Sequence, residues 1–307
     1  MNPSDPNTQG QEAIPKSAHR PLEGITVGIS VALGDDSALH GFGEEEMNCA
    51  VVRLSDSLLS AGAQLAFGHD WRPNGVMSAV ARLAVSYDPG VSRSEDQSAG
   101  RSCRITNLVP WGRRPELPPD LRDDLEQRGI LRIEEVGLPP TIAAHEQELT
   151  TRTLRATALC VLRRRLTSLC DARICLGGKF EDYEGFWPGI LEEAFASALS
   201  SPDYKVLLSG VMGGAAEKIL QAAQSGSWHA LIQPKSDTEL ATGFEQVRRF
   251  DPTIFPDMQR APELLSWENL ERRSGLHATD WQRLATARDI EVVSALALKA
   301  LTKRPKE

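Results

Sequence analysis

Four short glycine-bearing runs carry most of the chemistry legible in this 307-residue chain: Gly28-Ile29-Ser30, Gly68-His69-Asp70, Gly177-Gly178-Lys179 and Gly210-Val211-Met212-Gly213-Gly214. Each lies at a predicted strand-to-helix junction. A backbone without a Cβ lets a ligand approach the main chain, and a helix that opens after such a turn offers unpaired N–H groups with partial positive charge. That combination suits an anionic ligand. Side chains beside the glycines add donors and acceptors: the Ser30 hydroxyl, His69 and Asp70 at a strand end, and the Arg72 guanidinium, which is able to fork onto a phosphate. The chain contains neither GxGxxG nor GxxxxGK[ST], so both the dinucleotide fingerprint and the P-loop are excluded.

A second kind of chemistry sits at Glu192 and Glu193, in the first turn of a helix opened by Pro188-Gly189. Paired carboxylates act as acid and base, or steady an oxocarbenium-like ribose, when a glycosidic bond is cleaved. They equally well bind a ribose hydroxyl or favour the positive end of the helix. Adjacent residues point about 100° apart on a helix, so one of the two is expected to face a pocket. Trp71, Tyr183 and Trp187 either stack on a base or anchor their loops against the core. Arg152, Arg155, Arg163, Arg164 and Arg165 read as the solvated face of a long helix, with Arg152 and Arg155 one turn apart and within reach of a phosphate.

The elements that position these residues alternate. Gly24 to Val31 is a short β-branched run, as expected of a strand buried on both faces. Apolar residues at three- and four-residue intervals from Glu44 to Ala61 predict a helix, and Gln64 to Phe67 a second strand. Further strands are predicted at Cys103 to Val109, Ile130 to Val136, Ala172 to Leu176 and Tyr204 to Leu208. Helices are predicted at Val76 to Leu83, Pro118 to Arg128, Ala144 to Ser168, Gly189 to Leu199, Gly210 to Ala223 and Asp289 to Leu301. The fold class is therefore α/β and Rossmann-like: a mainly parallel sheet with helices on both faces, plus a C-terminal helical extension. Residues 1–20 read as a disordered tail, 21–235 as the ligand-binding domain and 236–307 as a helical extension packed on it. Asp88 to Ser102 reads as an exposed loop.

Composition narrows the setting. The formal charge of −8 argues against a nucleic-acid binder. No apolar run is long enough for a membrane span, and the N-terminus lacks the apolar centre of a signal peptide, so a cytoplasmic protein is expected. Cys49, Cys103, Cys160, Cys170 and Cys175 show neither CxxC nor zinc-site spacing and read as buried free thiols; no metal and no cofactor are expected.

From Ile174 to Ala194 a strand ends in Gly177-Gly178, an acidic and aromatic loop follows, and Pro188-Gly189 opens a helix with two carboxylates; downstream comes Leu207-Leu208-Ser209-Gly210-Val211-Met212-Gly213-Gly214. Together these passages resemble the SLOG superfamily, named for its Smf/DprA and LOG members, and look closest to the branch found beside TIR and nucleoside-phosphorylase-like domains in bacterial conflict systems. The resemblance spans roughly residues 22 to 225. It implies a Rossmann-like domain whose glycine-rich loops bind nucleotides or their derivatives. In LOG enzymes a PGGxGTxxE motif binds phosphate and supplies a glutamate for N-glycosidic cleavage; this chain keeps Pro188, Gly189 and the carboxylates without the Gly-Gly-x-Gly-Thr run. Three functions stay open: a sensor of a nucleotide-derived signal, partnered by a TIR-type or other effector and able to form homo-oligomers; a nucleotide N-glycosidase; or a scaffold protein whose glycines are structural.

Overall fold

A computed structural model describes residues 20–71, 75–87, 103–113, 119–235 and 237–303. The predicted tail up to residue 19, the loop from Asp88 to Ser102 and Arg72 lie outside the described residues. The strands are β1 (Thr26–Ala32), β2 (Gln64–Gly68), β3 (Ile105–Pro110), β4 (Leu131–Val136), β5 (Ala172–Gly177) and β6 (Lys205–Ser209). The helices are α1 (Glu44–Ser60), α2 (Val76–Val85), α3 (Pro119–Gln127), α4 (Pro140–Ala143), α5 (Thr151–Ser168), α6 (Gly189–Ser200), α7 (Gly214–Ser225), α8 (His229–Ile232), α9 (Thr238–Phe250), α10 (Ala261–Leu264), α11 (Trp267–Ser274), α12 (Ala278–Ala285) and α13 (Ile290–Thr302).

The strands form one sheet of order β4-β3-β2-β1-β5-β6, and every pairing is parallel. Being covered on both faces, the strands can be apolar throughout: Val27, Ile29, Leu65, Phe67, Ile105, Leu108, Ile174 and Leu207 are buried. From β1 the chain winds one way through β2, β3 and β4, then returns to lay β5 and β6 on the other side. Right-handed crossovers put α1 and α2 on one face and α5 and α6 on the other. The direction reverses between β1 and β5, so the crevice lies outside their carboxyl ends. Helices α11, α12 and α13 pack on β6, and α13 also packs on α1. At the opposite edge β4 carries Arg132 and Glu134, with Arg165 of α5 bonded to Glu134 at 2.6 Å.

Two helix starts differ from the sequence reading. The helix expected from Ala144 begins at Thr151, because the Thr150 side chain accepts from Thr153 N–H at 3.2 Å and caps it there. The helix expected from Gly210 begins at Gly214, since Gly213 stands at φ 66° outside the helical region. No helix among the described residues is long and apolar enough to cross a membrane.

The cysteines divide by environment. Cys160, Cys170 and Cys175 are buried, as expected, whereas Cys49 lies exposed on α1 and Cys103 is half-buried. Burial pushes the Cys175 thiol up to about 12 and the Cys170 thiol up to about 11. Because the thiolate is the reactive form, a disulfide reagent at pH 8 is expected to label Cys49 first in the native protein, and Cys160, Cys170 and Cys175 only after unfolding. Mass mapping of labelled peptides over time checks this order.

Candidate functional site

The loops at the switch point interlock through main chain. Gly178 N–H donates to Ala32 O at 2.7 Å, and Gly178 O accepts from Ala215 N–H at 2.8 Å. A Cβ on Gly34 would fall 2.5 Å from Gly214 Cα, and one on Gly214 would fall 2.9 Å from the Gly177 carbonyl carbon and closer still to Gly178 O. Gly178 and Gly214 also have φ 92° and 65°, a region that side chains other than glycine rarely enter. Ser37 ties the same loops together, accepting from Gly34 N–H and donating to Met212 O, each at 2.7 Å.

Two neighbouring carboxylates occupy backbone amides at the switch point, one of them, that of Gly214, at a junction where the sequence reading expected an anionic ligand. Asp36 Oδ1 accepts from Gly214 N–H at 2.7 Å, at the start of α7. Asp35 Oδ2 accepts from Phe180 N–H at 3.1 Å and Glu181 N–H at 2.9 Å. The site is thus built on backbone donors already satisfied by acidic side chains of the β1–α1 loop.

The predicted residues fall into three groups. Gly177, Gly178, Gly213 and Gly214 meet at the switch point, with Lys179 exposed beside them. Gly210 lies at the rim, its N–H donating to Ala285 O at 3.1 Å. Gly68, His69 and Asp70 sit one strand away: the Gly68 carbonyl accepts from Asn107 Nδ2 at 2.9 Å, and Asp70 Oδ2 accepts from Val76 N–H at 3.3 Å to cap α2. Trp71 donates to Asn107 Oδ1 at 2.8 Å and is buried, so it anchors its loop. Trp187 does the same through Ile232 O at 3.0 Å. Gly28 and Ser30 lie inside β1, two or more residues short of its end, which is at Ala32.

What Gly28 and Ser30 face is a buried cation. Arg173 of β5 is fully buried, and its Nε, Nη1 and Nη2 donate to the hydroxyls of Ser197, Ser30 and Thr167 at 2.9, 2.9 and 3.0 Å. Glu193 stands 3.9 Å from it, and a Cβ on Gly28 would press on its guanidinium at 3.3 Å. Its neighbour Glu192 is bonded to Arg163 of α5 instead. The two carboxylates diverge as their adjacency requires, each to its own arginine. Arg163 is not on a solvated face: its side chain is 10% exposed, packed against the backbone of Gly185 and Gly189. Gly189 therefore admits a guanidinium at the opening of α6, next to Pro188.

Sheet order, switch-point crevice and glycine loops agree with the result of comparison: the SLOG cluster2 family matches residues 21–272. The chain belongs to the SLOG family. No curated protein matches it. Family membership supports a nucleotide-related function in general. The match runs beyond β6 into α11, so Ala285 and Arg288, which touch the SLOG crevice, lie past its end.

Sequence reasoning missed Gly34, Asp35, Asp36, Ser37 and His40 of the β1–α1 loop, together with Glu217 and Arg288. Asp36, His40 and Glu217 of this SLOG chain place one ligand atom each within 4.8 Å of one another, the spacing of a cation site. His40 Nε2 lies 3.5 Å from Glu217 Oε2, while Arg288 Nη1 approaches His40 Nδ1 at 2.8 Å. A guanidinium only donates, so Nδ1 accepts and the ring proton sits on Nε2, facing the carboxylate. A metal bound at Nε2 would require Arg288 to let go; with Arg288 in place the trio is a polar wall of the crevice.

Proposed function

We propose that this SLOG chain senses a nucleotide-derived signal at the switch point between β1 and β5, in the setting of bacterial conflict systems, with a TIR-type or other effector as its output. The observation that carries this reading is the interlocking of three loops, after β1, β5 and β6, through Gly34, Gly178 and Gly214. A ligand contacting any one of them acts on all three. The branch beside TIR and nucleoside-phosphorylase-like domains fits such a sensor, because the output then resides in another domain or chain.

Sensing is favoured over cleavage of a base–ribose bond because Glu192 and Glu193 are each engaged by a buried arginine. Incubation with nucleoside monophosphates and NAD should release no free base. Sustained release, lost when Glu192→Gln and Glu193→Gln are combined, would reverse that conclusion. Binding itself is read by thermal shift across mono-, di- and cyclic nucleotides: a ligand at 100 times its Kd adds about 2.7 kcal/mol of stability.

The acidic side chains at the amides make a sign-specific prediction. Asp36→Asn keeps an acceptor for Gly214 N–H but removes a negative charge from the start of α7. A phosphate-bearing ligand is expected to bind about fivefold more tightly, the equivalent of about 1 kcal/mol for one charge at a helix terminus. Titration calorimetry of both proteins at low salt checks it. Weaker binding would mean that the carboxylate holds the ligand directly, through a ribose hydroxyl.

A further inference from the structure

One cavity among the described residues lies away from the strand ends. It lies in the groove between α5 and α6, about 380 Å³ in volume, roofed by residues 253–257. We propose that this groove is a second small-molecule site, selective for a neutral planar heterocycle that presents a hydrogen-bond donor beside an acceptor, as a free nucleobase or nicotinamide does.

Charge argues for neutrality. Four charged side chains line the groove, Arg163 and Arg164 against Glu192 and Asp257, so its formal charge cancels. At its wall Arg163 and Glu192 form an ion pair whose side chains are 10% and 4% exposed. A buried ion pair gives little net stability relative to packed apolar residues. Its position on a cavity wall offers a donor and an acceptor side by side. Glu192 Oε2 is the one hydrogen-bond acceptor that Arg163 has among the described residues, and a guanidinium carries five N–H donors. An anionic ligand would compete with Glu192 for Arg163, and a cationic one would compete with Arg163 for Glu192. A ligand carrying both functions on one neutral edge satisfies both without breaking the pair.

Shape argues for a flat body. The remaining walls are apolar, supplied by Ala196, Leu199, Phe255 and Pro256. Phe255 is held by stacking on Phe244 at 4.3 Å. Leu199 is 46% exposed, unusual for a large apolar side chain in this fold and accounted for by a partner in the groove. The groove is also preformed: Arg164 Nη1 donates to Thr253 O at 2.7 Å and Ile254 O at 3.2 Å, fixing the roof to α5. The volume falls at the lower end of small-molecule sites, which begin at about 300 Å³.

This site is independent of the strand-end reading, and its test keeps the two apart. Adenine, cytosine and nicotinamide are titrated by calorimetry into the full chain, into Ala196→Trp, which fills the groove from a half-buried position, and into Glu192→Gln, which replaces the acceptor with a group that also donates. Circular dichroism confirms folding of each, and Asp36→Asn serves as the strand-end control. At least one of the three compounds is expected to bind, with affinity reduced about tenfold or more in Ala196→Trp and Glu192→Gln and unchanged in Asp36→Asn. The proposal is overturned if none of the three binds up to its solubility limit, or if binding survives Ala196→Trp or is altered by Asp36→Asn. Failure here leaves nucleotide binding at the switch point standing, and the reverse also holds.

Discussion

Arg173→Met is expected to lower the unfolding free energy by about 3–5 kcal/mol, the range for breaking one side of a buried charged pair. Methionine roughly fills the volume but leaves Glu193 without its counter-charge and deprives the Ser30, Ser197 and Thr167 hydroxyls of their donor. The damage is spread over β1, α5 and α6, the elements that also carry the β1 loop and the Arg163–Glu192 pair. Urea unfolding at equilibrium checks it through a shifted midpoint at unchanged slope. Adding Glu193→Gln to Arg173→Met is expected to restore part of the loss, because the orphaned carboxylate is then gone. A midpoint shift worth less than about 1 kcal/mol would place Arg173 among ordinary polar substitutions and remove it as the pin of these elements.

Gly214→Ala is expected to abolish nucleotide binding and to destabilise the chain. The left-handed conformation, at φ 65°, alone costs about 1–2 kcal/mol for alanine. The new methyl would also meet Gly178 O and press on Gly34 Cα at 3.0 Å, so three loops must move apart. Gly226→Ala isolates the first effect: its φ is 75° with nothing within 4 Å of the added carbon. Thermal melts should therefore order the proteins as native, Gly226→Ala, then Gly214→Ala, and only the last should lose the nucleotide-induced shift. Equal melting of the two variants would show that the loops at the switch point yield freely.

The alternation of strands and helices was legible because parallel strands covered on both faces leave continuous apolar runs, and the helices between them repeat at 3.6 residues. Gly213 and Gly214 were legible for a related reason: glycine doublets after a strand seldom serve anything but tight backbone approach. Gly28-Ile29-Ser30 was read as a strand-to-helix junction from its glycine, but β1 runs on to Ala32 and its true junction is at Gly34. The glycine and the serine make room for Arg173, a partner 143 residues from Ser30. Asp35 and Asp36 escaped notice because their acceptor roles link them to amides 145 to 178 residues away. Arg163 looked solvated because five arginines on one helix read as a polar face; its burial depends on Gly185 and Gly189, which carry no side chain to keep it out.

The two edges of the sheet constrain how copies of this chain meet. At β6 the backbone is sheltered by α11, α12 and α13, and Lys205 donates from the strand to Ala300 and Lys303 carbonyls of the last helix and its end. At β4 an incoming strand would face Arg132 and Glu134, a charged border of the kind that discourages strand-to-strand joining. Among the described residues, both edges disfavour assembly by extending the sheet. Two copies that met would therefore do so through helical surfaces, and Ala285 and Arg288 join the C-terminal helices to the crevice by contacts to Gly210 and His40.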